Sequence, residues 1–240
     1  MNDSWQKQST ASGGPAQGHP GSRDTDLAWQ TPAQGLRAKA DEVRAQQGSN
    51  PSRAHERAAD DESWSWNRGA DGEAYVGAML ETLRGLGWRL LHDVPVRESG
   101  TDIDHILIGP GGIFTINTKA HSNARITIYE RTIYVNGQQK NYLSAARGEA
   151  AHAAAILRFA TGMDLWVNAA LVFVGGPQAR IDRKGDPRRV LTLTEFDVPA
   201  AFASMPPRLH NAQVEAVFQK ARWRSVWFPS ATPVGLPPPT

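Results

Sequence analysis

Gly100-Thr101-Asp102-Ile103-Asp104-His105-Ile106-Leu107-Ile108, then Gly109-Pro110-Gly111-Gly112, then Ile113-Phe114-Thr115-Ile116-Asn117-Thr118-Lys119 is the stretch that decides the fold. Ile103 to Ile108 and Ile113 to Thr118 are short apolar runs rich in β-branched residues, which favours strands. The four residues between them are turn chemistry: proline fixes φ and glycine accepts φ > 0. A turn centred between Pro110 and Gly111 sets Asp104 opposite Asn117, and Asp102 opposite Lys119. Directly opposed side chains of an antiparallel pair have Cβ atoms roughly 4.5–5.5 Å apart. Side chains alternate between faces, so Asp102, Asp104, Asn117 and Lys119 are expected on one face at one end of the hairpin.

That cluster is chemically pointed. Hard cations such as Mg²⁺ take oxygen ligands, commonly one or two carboxylates completed by water and substrate phosphate. A lysine beside such an ion orients a water or offsets charge developing on a phosphate. The plain alternative is a strand-end ion pair between Asp102 and Lys119, with Asp104 capping a loop. Upstream, Arg68-Gly69-Ala70-Asp71-Gly72-Glu73 opens a helical pattern over Glu73 to Leu86, with Val76, Leu80 and Leu83 on one stripe. Glu73 falls on that apolar stripe, where an unpartnered carboxylate is costly to bury. It is expected to face a metal or a lysine; the alternative is a first-turn acid favouring the helix dipole.

Together these residues resemble the nuclease-related domain, NERD, a divergent branch of the PD-(D/E)XK nuclease-like fold. The resemblance extends through Tyr134-Val135-Asn136-Gly137 and Asn141-Tyr142-Leu143, and covers about residues 67 to 195. It implies an α/β fold: a central mixed β-sheet flanked by helices, with a restriction-endonuclease-like core. It implies Mg²⁺ or Mn²⁺ held by Glu73, Asp104 and the first position of the acid-x-Lys motif, with catalysis by Lys119, Asp104 and Glu73. Asp102, Thr118 and His121 stand in support. The implied activity is metal-dependent phosphodiester hydrolysis of nucleic acid, with DNA favoured. One position departs from the pattern: the acid of acid-x-Lys is Asn117, a neutral and weaker ligand. A nucleic-acid-binding or scaffold module that keeps the fold without the metal is therefore the competing reading.

Outward from this core, the expected organisation is a disordered tail over 1–62 and the nuclease-related domain over 63–195. A helical extension over 196–228 packs on the domain, and a Pro-rich end over 229–240 frays. The first 60 residues contain no Ile, Phe or Tyr, too little apolar surface to offset ordering entropy. The chain has no cysteine, which excludes disulfides, thiolate zinc sites and cysteine nucleophiles. The N-terminus shows no basic region followed by an apolar core, and no run of about 18 apolar residues occurs. A cytoplasmic location and no membrane partner are expected; the pattern is silent on oligomeric state. A net charge of +2 permits nucleic-acid binding without arguing for it.

The remaining pattern reads as α/β. Strands are expected at Trp88 to His92, Arg125 to Tyr129, Thr132 to Val135, Ala169 to Val174 and Val190 to Leu193, with Asn136-Gly137 as a hairpin turn. Helices are expected over Ser144 to Ala160, Glu195 to Ser204 and Asn211 to Arg222. Arg147, Glu149 and His152 read as surface ion-pair formers, and His121 as an exposed loop residue with phosphate contact as the alternative. Arg183, Lys184, Arg188 and Arg189 form a basic loop that either grips a nucleic-acid backbone or is simply solvated. Trp223 and Trp227, near Arg222 and Arg224, are expected to pack at the terminus, with stacking on bases as the alternative. No Walker-type loop, Gly-x-Ser-x-Gly or His-Glu-x-x-His is present.

Overall fold

The computed structural model describes residues 26–34, 37–38, 41, 69–96, 102–176 and 179–228. The first full helix, α1 (69–81), runs into a 3₁₀ turn, Thr82–Leu86, and stops at Gly87, whose φ of 83° suits glycine. Then come β1 (Arg89–Pro95), β2 (Asp102–Gly109) and β3 (Gly112–Ala120). The β2–β3 hairpin has the register expected from its turn, with Gly109 opposite Gly112 and His105 opposite Ile116. β4 (Arg125–Ile128), β5 (Ile133–Val135) and β6 (Gln138–Lys140) follow, then α2 (Tyr142–Thr161), β7 (Val167–Val174), β8 (Arg180–Arg183) and β9 (Val190–Thr194). The chain closes with α3 (Val198–Ala203), α4 (Asn211–Ala221) and α5 (Arg224–Trp227).

The main sheet is mixed, with strand order β1-β2-β3-β7-β9; β1, β2 and β3 pair antiparallel, while β7 and β9 are added parallel. Strand alternation gives it two apolar faces. Val76, Leu80 and Leu83 meet Leu107, Phe114, Ile116 and Phe202 on one side. On the other, Ile106, Ile108, Leu171 and Phe173 meet Leu143, Ala146, Ala153 and Leu157 of α2 and Val214, Val217 and Phe218 of α4. Helices thus cover both faces of the mixed sheet. No described helix is long and apolar enough to cross a membrane.

Several boundaries differ from the sequence reading. A second sheet, β6-β5-β4-β8, stands beside the first, and it includes β6, whose Gln-Gln-Lys sequence carries no apolar strand signal. Its β8 begins in a stretch that reads as loop, because Arg180-Ile181-Asp182-Arg183 offers only one apolar side chain to mark a strand. The helix expected over Glu195 to Ser204 divides into a 3₁₀ turn, Glu195–Asp197, and α3, with Pro199 placed where its missing N–H is harmless. Within the stretch that reads as a tail, residues 26–34 depart from that expectation. Leu27 is 1 % exposed and Ala33 is fully buried. Asp26 accepts two hydrogen bonds from the Arg222 guanidinium, at 2.9 and 2.5 Å, and Leu27 N–H donates to the Arg222 carbonyl. A few long-range contacts hold this strap where composition shows no core. Apart from residues 37–38 and 41, the rest of the expected tail lies outside the described residues, as does the Pro-rich end from 229 on.

Candidate active site

The hairpin's open end carries the chemistry. The β2–β3 ladder stops at His105 and Ile116 although both strands continue, to Asp102 and Ala120. Past that pair, Thr118 N–H donates to Asp104 Oδ2 at 2.5 Å, so a side chain takes the place of a ladder partner. The same register carried one residue further sets Asn117 beside Asp104. Across the β1–β2 pair, His92 faces His105 and Val94 faces Ile103, which brings Asp93 opposite Asp104. Asp93, Asp104 and Asn117 therefore form a row over three neighbouring strands. Asp93 has a φ of 46°, a left-handed conformation that aspartate tolerates better than a β-branched residue does.

Glu73, in the first turns of α1, joins this row and is 2 % exposed. Burial, and then the charges of Asp104 and Asp93, push its carboxyl up to about 10. It is neutral at physiological pH and shares a hydrogen bond with Asp93. Burial likewise raises Asp93 to about 6, opposed by hydrogen bonds from Gln34 and Glu73. Asp104 is raised by burial, with the Lys119 charge and the Thr118 N–H acting against it. Three carboxyl groups thus crowd a space in which they cannot all ionise unaided. The strap supplies donors here: Ala33 N–H to Glu73 Oε1 at 2.8 Å, and Gln34 N–H to Asp93 Oδ2 at 2.8 Å.

Lys119 and Asn117 project toward α2. The Lys119 ammonium lies 5.5 Å from the centroid of the Tyr142 ring, within cation–π range. Asn117 Nδ2 donates to Glu149 Oε2. The electrostatic partner of Lys119 is Asp104, whereas Asp102 is influenced by Arg224, so the expected Asp102–Lys119 pairing is replaced. The cause is the early end of the β2–β3 ladder, which frees Asp102 from its facing position. His121 is half-buried; its Nε2 lies 2.9 Å from the Tyr142 hydroxyl and its ring stacks on Tyr142. It is a neighbour of Lys119, not a solvated loop histidine.

Behind the row, on the α1 side, His105 and His92 approach through their Nδ1 atoms at 2.9 Å, and His92 Nε2 lies 3.1 Å from Glu81 Oε1. Burial lowers the pKa of both rings. With the Glu81 carboxylate accepting from Nε2–H of His92, Nδ1 of His92 accepts from His105. This buried chain fixes β1 against β2 and α1.

Residues 68–174 match the family model of the nuclease-related domain, NERD. The chain carries a nuclease-related domain. No curated protein and no solved structure matches it significantly. Within the nuclease-related domain, sequence pattern points to Glu73, Asp104, Asn117 and Lys119; it does not reach Asp93, Tyr142 or the bond between Asn117 and Glu149. Asp93 reads as one polar residue inside Leu90-Leu91-His92-Asp93-Val94, and only its left-handed backbone, which no apolar pattern records, sets it apart.

The donor set of the nuclease-related domain fits a hard divalent cation: oxygen atoms only, with buried carboxyls whose mutual repulsion a cation would relieve. Among the described residues no three His, Asp or Glu side chains already surround a common point, so water and phosphate would complete the shell. On the other flank of α2, Arg147, Arg158 and Arg189 line a groove of about 330 Å³. The Arg189 guanidinium stands 5.5 Å over the Trp166 ring, and Trp166 is 57 % exposed. Of the basic loop residues, Arg183 is committed to Thr192 and Arg188 pairs with Glu130. Trp227 is buried and donates to the Ala221 carbonyl, so it packs at the terminus as expected.

Proposed function

We propose that this nuclease-related domain hydrolyses phosphodiester bonds of nucleic acid, with DNA the favoured substrate, using Mg²⁺ or Mn²⁺. One observation carries the reading: buried Glu73 and Asp93 and half-buried Asp104 crowd beside Lys119 at the open end of the hairpin, carboxyl groups held back from ionising together that a divalent cation would let ionise. Glu73 and Asp104 would hold the ion, with the Asn117 amide oxygen as a weaker ligand. When bound, the cation polarises a phosphodiester and acidifies a water. Lys119 brings a positive charge to the site and stabilises negative charge on phosphate. Tyr142 and His121 hold the lysine side of the site in place. The Arg147, Arg158 and Arg189 groove supplies phosphate contacts, with Trp166 as a stacking surface.

Two observations favour the competing module. Asn117 removes one formal charge, and the strap's N–H groups already satisfy oxygens of Glu73 and Asp93. The two readings separate in one experiment on the full chain, because the strap is part of the site. Supercoiled plasmid and a single-stranded RNA are incubated with Mg²⁺, Mn²⁺ or EDTA, beside Asp104→Ala and Lys119→Ala prepared identically. A nuclease cleaves with metal, stops in EDTA, and loses cleavage in both variants. Retained binding in EDTA with no cleavage in either metal assigns the module instead.

A further inference from the structure

The acid-x-Lys position holds an amide in this chain, yet a carboxylate stands against it. Glu149 sits on α2 seven residues after Tyr142, two helical turns along one stripe. α2 lays both residues against β3: Tyr142 meets Lys119, and Glu149 accepts a hydrogen bond from the Asn117 amide. We propose that Glu149 supplies, from α2, the carboxylate ligand that Asn117 lacks, for a hard divalent cation shared with Asp104. This rests on the metal-dependent reading above.

The donor inventory supports it. An ionised carboxylate offers two oxygens with about four acceptor sites, so accepting from an amide and ligating a cation are compatible for one glutamate. The amide, by contrast, spends Nδ2 on Glu149 and brings a single neutral oxygen. The contact also positions the acid: a half-buried glutamate held by a buried amide has few rotamers to lose on binding an ion. Small residues open the approach. Ala145 and Gly148 flank Glu149 on a groove of about 350 Å³ that continues to Val96 and His152. His152 Nε2 lies 3.2 Å from the Val96 carbonyl, which engages that ring, and among the described residues lining the groove Glu149 is the acid. The negative charge absent from the strand is thereby present on the facing helix, one hydrogen bond away.

The test uses the full chain and Mn²⁺ alone as probe. Binding is followed by calorimetric titration in metal-free buffer, with thermal unfolding recorded with and without the ion. Glu149→Gln keeps an acceptor oxygen for Asn117 and removes only the charge. It is expected to weaken Mn²⁺ binding at least tenfold and to shrink the ion-induced rise in unfolding temperature. Asn117→Asp in the Glu149→Gln background returns the charge to the strand and should recover most of the affinity. Asp182→Asn, a surface acid paired with Arg125, should change nothing. A glutamate that merely anchors Asn117 would leave Mn²⁺ affinity intact in Glu149→Gln, and the double variant would recover nothing. That result overturns the assignment and leaves the nuclease reading standing. Absence of Mn²⁺ binding by the wild type overturns both.

Discussion

Glu73→Gln is expected to stabilise the metal-free protein, and by an amount that grows with pH. Glutamine retains both interactions of the protonated acid: an oxygen for the Ala33 N–H and a donor toward Asp93. The folded carboxyl is raised from its ordinary 4.5 to about 10, so between those values the folded chain holds one proton more than the unfolded chain. Stability from such a group is fully present below 4.5 and is lost as pH rises through about 10. The slope is about −1.4 kcal/mol per pH unit, which glutamine abolishes. At pH 7, two and a half units above the ordinary value, the variant should lead the wild type by about 3 kcal/mol. Asp93, raised to about 6, adds a similar slope only below that value, and a slope common to both proteins, such as that of the raised Asp104, drops out of their difference. Urea unfolding in EDTA at pH 7, 8 and 9 measures the gap. It should widen by about 1.4 kcal/mol per unit, and Mn²⁺ should close it by stabilising the wild type alone. Parallel pH profiles for the two proteins, or a variant less stable at pH 9, would refute the reasoning.

Leu27→Ala should cost roughly 2–5 kcal/mol in urea unfolding, because Leu27 is 1 % exposed against the core; a cost under about 0.5 kcal/mol, in the range of ordinary surface substitutions, would show that the strap is not docked in solution. Gly109→Ala should destabilise by about 1–3 kcal/mol or more, since a Cβ there would lie 2.2 Å from the Trp88 ring; an unchanged unfolding midpoint would contradict that packing. Arg158→Gln with Arg189→Gln should weaken binding to a fluorescent oligonucleotide and flatten its salt dependence by about one unit of log–log slope for each phosphate no longer neutralised. An unchanged slope would remove the groove from the interface.

How far the sequence carries depends on where the determinants lie. The hairpin is legible to the residue, because a turn of proline and glycines and two alternating apolar runs leave only one register that buries Ile106, Ile108 and Ile113 together. The burial of Glu73 is legible, because a carboxylate on an apolar stripe demands a partner, but its partners in the structure are the Ala33 N–H and Asp93 and not the expected lysine. Glu149 is not: on an alanine-rich helix it lies near Arg147 and His152, and its bond to Asn117 spans 32 positions. The strap is hidden for a related reason. Its hold on the domain combines one leucine, one buried alanine, backbone N–H groups that reach Glu73 and Asp93, and an Asp26–Arg222 ion pair 196 positions apart, none of which shifts the local composition. Asp93 depends on a single left-handed residue inside a strand. Local pattern records the elements; the interactions that finish the site come from distant segments.

The C-terminal joint at the hairpin turn has a consequence for how this protein can be dissected. The Pro110 carbonyl accepts from both Arg208 N–H and Leu209 N–H, at 2.7 and 3.0 Å, and β9 zips onto β7 through five residue pairs from Ala169–Val190 to Phe173–Thr194. Residues 68–174 are a unit of kinship but not a unit of folding. Excised to those limits, the chain would end with β7 as a bare, apolar sheet edge, of the kind that pairs with whatever strand it meets. It would also lose the α4 side chains that cover Ile106 and Ile108 on the far face. A fragment cut by homology should therefore aggregate, and the smallest soluble piece should run from the strap at Asp26 to Trp227, whose indole closes the last turn.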